Sequence, residues 1–432
     1  MEATLLLAIF GGPVYNGAVS PLFKAAGVTA LFVLLLLSSC ATTPPDPRTK
    51  AGPPEPRLST ESDVALLPLT EELEARVDEL MEEMSLDELL GQRFMSFVPR
   101  GLEFPTADTR PGTRAGGSGD PIEALFAPVP PAGFILYSWN LPGYKETALL
   151  TKELQRMAAE RAGAGPKLLF AVDQEGGRVA NLRFSEIADF PSAFQQALRG
   201  DVRYVGSGAY VTATDLRRAG IRMNFAPVLD VYPREDRTII GDRSFGGEPQ
   251  LVAELGSAYI ESAMEAGVAP VAKHFPGHGV STVDSHGALP ISDRTLNELR
   301  ERDLVPFRVA VEAGVPAIMT AHILYEEVDP EYPATLSPRF IHELLREELG
   351  FEGVVVTDGF SMGALTREYS RVEALRQSFL AGVDLILLHA RYEYRELFGE
   401  AVELLRAGVI DEELIREGAR RVLLLKARLG LL

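Results

Sequence analysis

Residues 269–290 read APVAKHFPGHGVSTVDSHGALP. The first seven, APVAKHF, are an apolar run of strand length that closes on Lys273 and His274. The remainder is a glycine-rich polar loop carrying His278, Asp284 and His286. A strand with titratable side chains at its carboxyl end is a unit that can be sought elsewhere in the chain. Seven further apolar runs fit it: RFMSFV (93–98), GFILYSW (133–139), KLLFAVD (167–173), RMNFAPVLDV (222–231), AIMTAHIL (317–324), GVVVTD (353–358) and LILLHA (385–390). Helical stretches such as ALLTKELQRMAAERAG, PQLVAELGSAYIESAMEAG and TLNELRERDLVPFRVAVEAG separate most of them. Strands alternating with helices predict right-handed βαβ units around a parallel sheet. Eight units over about 340 residues predict an α/β fold, a (β/α)8 TIM-type barrel forming a single catalytic domain. A doubly wound open sheet is the alternative, but no GxGxxG follows an early strand and no P-loop is present.

Asp173, Asp230, Lys273, His274, His322, Asp358 and His389 all fall at or just after the carboxyl ends of these runs. One polar residue there is an ordinary turn former. Seven, gathered on the face where barrels assemble their chemistry from several strands, point to an enzyme.

Composition narrows the partners. With 46% hydrophobic and 24% charged residues the chain has ordinary globular material. A formal charge of −19 argues against nucleic acid, whose phosphates call for clustered Lys and Arg, and against a polybasic membrane contact. The one cysteine, Cys40, excludes an intramolecular disulfide. It ends the apolar run Ala25–Leu37 plus Ser38-Ser39, a length that fits the h-region of a secretory signal better than a spanning helix. The Leu37-Ser38-Ser39-Cys40 ending resembles a bacterial lipobox, so residues 1–40 are expected to be a signal peptide with Cys40 as the lipidated residue. Residues 41–69, rich in Pro, Thr, Ser and charge, are expected to be a flexible tether, and 70–432 the folded domain. TEELEARVDELMEEM (70–84) has helical periodicity, and Ser85 with Glu88 forms a capping-box pattern opening a second helix. The expected location is the cell envelope, on a membrane reached through the lipid anchor.

Three chemistries fit such a barrel mouth. A metal-dependent hydrolase would draw on His274, His322, His389 and Asp358, but no strand ends in H-x-H and no HExxH occurs. Glycoside hydrolysis with retention needs a carboxylate nucleophile and a separate acid/base. Asp358 ends the cleanest apolar strand and is followed by Gly359, which permits close approach of a ligand. Asp284-Ser285-His286 supplies a histidine able to donate and then accept a proton, beside a carboxylate able to orient it. A sugar- or peptide-binding lipoprotein without catalysis is the third reading, although a binder has no use for a full proton-transfer set.

The run KHFPGHGVSTVDSHGALP resembles the signature of bacterial β-N-acetylglucosaminidases of glycoside hydrolase family 3. AVDQEGGRVANL (171–182), MNFAPVLDV (223–231), GDRSFGG (241–247), MTAHI (319–323) and VVTDGFSMGAL (355–365) resemble family motifs in the same order, so the likeness spans roughly residues 72 to 430. The resemblance implies a barrel that removes terminal β-linked N-acetylglucosamine with retention and without metal or cofactor, its substrate being peptidoglycan fragments. It places the nucleophile at Asp358 and the acid/base dyad at His286 and Asp284. It places sugar-binding side chains at Asp173, Arg243, Lys273 and His274. His278 is expected to shape its loop and His322 to act from behind the direct contacts, while His389 has no assigned task. Chitin oligosaccharides or other β-glucosides are the alternative substrates. A chain ending at 432 is expected to lack the C-terminal sandwich of many family β-glucosidases, and to act as a monomer. Val280 stands where the family often has an acidic residue, and Asp358 is followed by Gly359 and Phe360 rather than the usual pair; both bear on aglycone preference. GLEFPTADTRPGTRAGGSGDP (101–121) is expected to be an insertion on the catalytic face.

Overall fold

The computed structural model describes residues 65–99, 125–162, 165–232, 239–278, 288–388 and 394–432. Cys40, the 101–121 insertion, Asp284, His286 and His389 lie outside the described residues.

Eight parallel strands form the sheet: β1 (Phe94–Phe97), β2 (Gly133–Ile135), β3 (Leu169–Val172), β4 (Met223–Asn224), β5 (Ala269–Phe275), β6 (Ala317–Thr320), β7 (Val354–Thr357) and β8 (Ile386–Leu387). Each pairs with its sequence neighbours, and β8 returns to β1 through Phe94 opposite Ile386. The gap between β7 and β8 is bridged by Val356 opposite Leu385 and by Leu385 N–H donating to Val355 O at 3.0 Å. The eight runs expected from sequence are the eight barrel strands. They are shorter than their apolar runs. In RMNFAPVLDV the regular ladder stops after Asn224, because Pro227 has no N–H to donate.

Helices cover the outside: α1 (Glu71–Glu83), α2 (Leu86–Gly91), α3 (Tyr144–Ala162), α4 (Val202–Arg218), α5 (Pro249–Glu265), α6 (Val305–Glu312), α7 (Arg371–Ala381), α8 (Tyr394–Arg406) and α9 (Glu412–Arg428), with a π-helical segment at Arg339–Glu348. α1 starts at the Thr70 cap, and Ser85 and Glu88 form the reciprocal capping box that opens α2. Such caps contribute about 1 kcal/mol each. Among the described residues no helix is long and apolar enough to cross a membrane.

Strand alternation divides the core into two layers. Met95, Ile135, Leu169, Ala171, Val271, Met319, Val354 and Val356 point into the barrel. Their neighbours Phe94, Phe134, Phe170, Ile318 and Val355 point outward beneath the helices. Val422, Leu425, Leu429 and Leu431 close the inner layer at the amino-terminal end of the strands. Leu66 and Leu67, at the end of the stretch expected to be a tether, hydrogen-bond to Met264 O and Arg428 O, both at 2.9 Å. Gly133 lets β2 press on β3: a Cβ there would sit 1.7 Å from Leu169 O.

Candidate active site

The inward alternation does not stop where the ladder does. Counting on by twos from Leu169 and Ala171 reaches Asp173 and Glu175; from Ala269 and Val271 it reaches Lys273; from Val354 and Val356 it reaches Asp358; from Ile135 it reaches Tyr137. All five line one cavity of about 330 Å³ at the carboxyl ends of the strands, with Arg243, His274 and His278 completing its polar wall. Asp173, Arg243, Lys273, His274 and Asp358, named from sequence, are thus brought together.

Four charges form a connected chain on one side. Lys273 Nζ donates to Asp173 Oδ1 at 2.8 Å and reaches Glu175 Oε1 at 2.8 Å. Arg243 grips the same Glu175 with two bonds, Nε to Oε2 at 2.8 Å and Nη2 to Oε1 at 2.7 Å. Burial alone would raise the Glu175 carboxyl, but the Arg243 and Lys273 charges and their hydrogen bonds outweigh it and hold it at about 2. Burial would lower Lys273, and its two carboxylate neighbours raise it instead. The chain of alternating charge fixes both cations without freezing out their remaining N–H groups. Gly176 and Gly177, at φ 96° and 56°, make the tight turn that follows Glu175.

On the other side Asp230, fully buried, organises the end of β5. Its Oδ2 takes the His274 Nδ1 proton at 2.7 Å, and its Oδ1 accepts from the His274 and His278 backbone N–H groups at 3.2 and 2.6 Å. His274 Nε2 is left facing the cavity, 3.5 Å from Arg243 Nη2. The Lys273–His274 peptide is cis, and both side chains line the cavity. His278 stacks edge-on against His274 with ring centroids 5.7 Å apart, and burial pushes its imidazole below the usual value.

Asp358 sits half-buried at the end of β7, its Oδ1 accepting the Gly359 N–H at 2.7 Å. Burial would raise this carboxyl too. The His274 and His322 rings, the Gly359 N–H and the Lys273 ammonium overcome it and hold the group far below the ordinary carboxylate range. It is an ionised oxygen nucleophile at any physiological pH, carried by a rigid strand.

His322 has the opposite parity to Met319 and stands behind the wall. Its Nδ1 is 2.8 Å from Thr335 Oγ1 and its Nε2 3.2 Å from Gly359 O, so it braces the turn that follows Asp358. With His274 on Asp230 and His322 on Thr335, both histidines are engaged by other partners. Among the described residues no group of three or more His, Cys, Asp or Glu is arranged to hold a metal ion.

Sequence reading missed Glu175 and Tyr137 and left Asp230 as a strand-end residue without a task. Period-two counting past Ala171 and Ile135 would have found the first two. Nothing in the sequence pairs Asp230 with His274, 44 positions on, because that contact depends on how β4 and β5 pair.

Residues 131–425 match the glycosyl hydrolase family 3 N terminal domain. The chain belongs to glycosyl hydrolase family 3. Its family 3 relatives include a β-hexosaminidase of Thiobacillus denitrificans (strain ATCC 25259 / T1), 39% identical over 264 residues that cover 59% of this chain and 70% of the relative. The β-hexosaminidase A of Pseudoalteromonas piscicida is 33% identical over 320 residues, 69% of this chain and 53% of that one. The chain therefore spans about half the length of that relative. Among solved structures, a family 3 β-N-acetylglucosaminidase from Paenibacillus sp. str. FPU-7 superposes with a TM-score of 0.73 at 37% identity, covering 81% of this chain and 63% of that one. The family assignment and the barrel agree with what the motifs implied.

Proposed function

We propose that this family 3 barrel is an exo-acting, retaining β-N-acetylglucosaminidase. The observation that carries the reading is Asp358, held ionised beside a cavity whose wall presents carboxylate, ammonium, guanidinium and imidazole groups. The names of the relatives, β-hexosaminidase and β-N-acetylglucosaminidase, support the same choice of sugar. A cavity of about 330 Å³ suits one sugar ring with its substituents, in keeping with removal of a terminal residue.

In the first half-reaction the Asp358 carboxylate attacks the anomeric carbon and a glycosyl ester forms as the glycosidic bond breaks. His286, oriented by Asp284, gives its proton to the departing oxygen. In the second half the same imidazole takes a proton from water, whose oxygen attacks the anomeric carbon and frees Asp358. Asp173 accepts hydrogen bonds from sugar hydroxyls, while Lys273, Arg243 and His274 Nε2 meet hydroxyl oxygens. The charged members make bonds stronger than neutral ones.

Asp358→Ala is expected to abolish turnover of an aryl N-acetyl-β-glucosaminide. His286→Ala is expected to impair substrates with poor leaving groups far more than activated aryl ones, since only the former need the acid. Substantial activity in the first variant, or equal losses in the second, would remove the corresponding role. The substrate class we assign is terminal N-acetylglucosamine on peptidoglycan fragments, met by a protein lipid-anchored through Cys40 in the cell envelope. Hydrolysis of N-acetylglucosaminyl-muramyl fragments against chitobiose tests it: a clear preference for chitobiose would assign the chain to chitin oligosaccharides instead.

A further inference from the structure

We infer that Trp139 and Tyr137 form a second carbohydrate subsite, an aromatic platform at the cavity rim that takes the sugar on the leaving-group side. The inference rests on the glycosidase reading above and adds to it a specificity residue. The cavity holds about one ring, so the remainder of any oligosaccharide must lie on its rim. Tyr137 lines the cavity. The Asp173 and Asp358 carboxylates, with burial as the larger cause, push its phenol up, so it stays a hydrogen-bond donor beside both. Trp139 stacks on Tyr137, centroids 4.4 Å apart and planes 21° from parallel, one aromatic layer beyond the wall.

Two features set this pair apart from an ordinary packed contact. Trp139 keeps 37% of its surface exposed, and among the described residues no other Phe, Tyr or Trp reaches the exposed class. The turn presenting it is clamped from both sides. Asn140 Oδ1 accepts the Tyr137 N–H at 3.1 Å while its Nδ2 donates to Val98 O at 3.0 Å, beyond β1. Ser138 N–H donates to Asn181 Oδ1 at 2.9 Å, and Asn181 Nδ2 donates to Asp173 O at 2.9 Å, beyond β3. The largest aromatic of the catalytic face is thus exposed on a turn tied to the strand that carries a sugar-contacting carboxylate. A rigid, solvent-facing indole loses little conformational entropy on binding and presents a flat apolar face to the C–H side of a pyranose ring.

Trp139 is the chain's one tryptophan, so its fluorescence reports on this position alone. In the Asp358→Asn variant, which leaves the substrate intact, N-acetylglucosamine and its β-1,4-linked disaccharide are titrated. The disaccharide is expected to shift or quench the indole emission saturably, and the monosaccharide, though bound, to leave it nearly unchanged. Calorimetry on Trp139→Ala and Trp139→Phe in the same background should show disaccharide affinity weakened about three- to tenfold by Ala, largely restored by Phe, with monosaccharide affinity unmoved. A disaccharide that binds more tightly than the monosaccharide without touching the emission overturns the subsite and leaves the glycosidase reading intact. If neither sugar binds, while the unsubstituted enzyme also leaves aryl N-acetyl-β-glucosaminides uncleaved, the underlying reading falls and the subsite with it.

Discussion

At Glu175 a carboxylate buried between Arg243 and Lys273 decides how two cavity cations are held. Its role is positioning, since its oxygens are taken by those cations. Glu175→Gln keeps the shape and removes the charge, which leaves two buried cations poorly matched. KM for an aryl glycoside is expected to rise about tenfold or more as their geometry loosens. The stability signature has a definite sign. A carboxyl held at about 2, against an ordinary 4.5, contributes about 3 kcal/mol above pH 4.5, lost as pH falls toward 2. Thermal melts should therefore show a gap between the native and Gln proteins at pH 7 that closes on acidification from pH 5. A gap independent of pH would contradict the charge argument. Asp173, Lys273 and Asp358 were legible one by one as polar ends of apolar strands. Glu175 was not, because it lies two residues beyond a strand end that Asp173 had already claimed.

Among the elements, the strands were readable because their apolar runs are bounded by polar loops, and α1 and α2 because their caps are local. The floor of the barrel was not, since its polar groups meet from opposite ends of the chain. Arg93 at the start of β1 donates to Asp384 O at 2.7 Å and also to Val383 O and Leu414 O, with its guanidinium over the Phe379 ring. Lys426, in α9 and wholly buried, donates to Gln92 Oε1 at 2.6 Å. Burial pushes its ammonium down to about 7 from 10.5. Between these values the unfolded chain holds a proton that the folded one does not, so stability rises with pH through this window and the full cost of the buried charge is met below pH 7. Lys426→Met, which keeps the length and removes the charge, is expected to raise the melting temperature by an amount worth a few kcal/mol at pH 6 and by much less at pH 10. Equal effects at both would show that the ammonium is not desolvated as described.

At the scale of the whole molecule, eight strands place side chains from six of them around one cavity, and the charge of −19 leaves the protein without a basic surface for nucleic acid. The sequence carried the fold because alternation of strand and helix is a long-range pattern. It carried the family because its motifs recur in order. It did not carry the Asp230–His274 pairing or the clamped Tyr137–Trp139 turn, which exist only once strands stand side by side. The anchor belongs to this scale as well. Cys40→Ala is expected to move the protein from the membrane to the soluble fraction, and unchanged fractionation would remove the lipid-anchor proposal.

The central claim is a covalent intermediate on Asp358. It is tested most directly by incubating the full chain with a fluorinated N-acetylglucosamine analogue bearing an activated leaving group, then mapping the adduct by peptide mass spectrometry. The account predicts one glycosyl unit per chain, carried by the peptide that contains Asp358 and absent from Asp358→Ala. A stoichiometric adduct on any other residue, or turnover with inversion and no adduct, would contradict it.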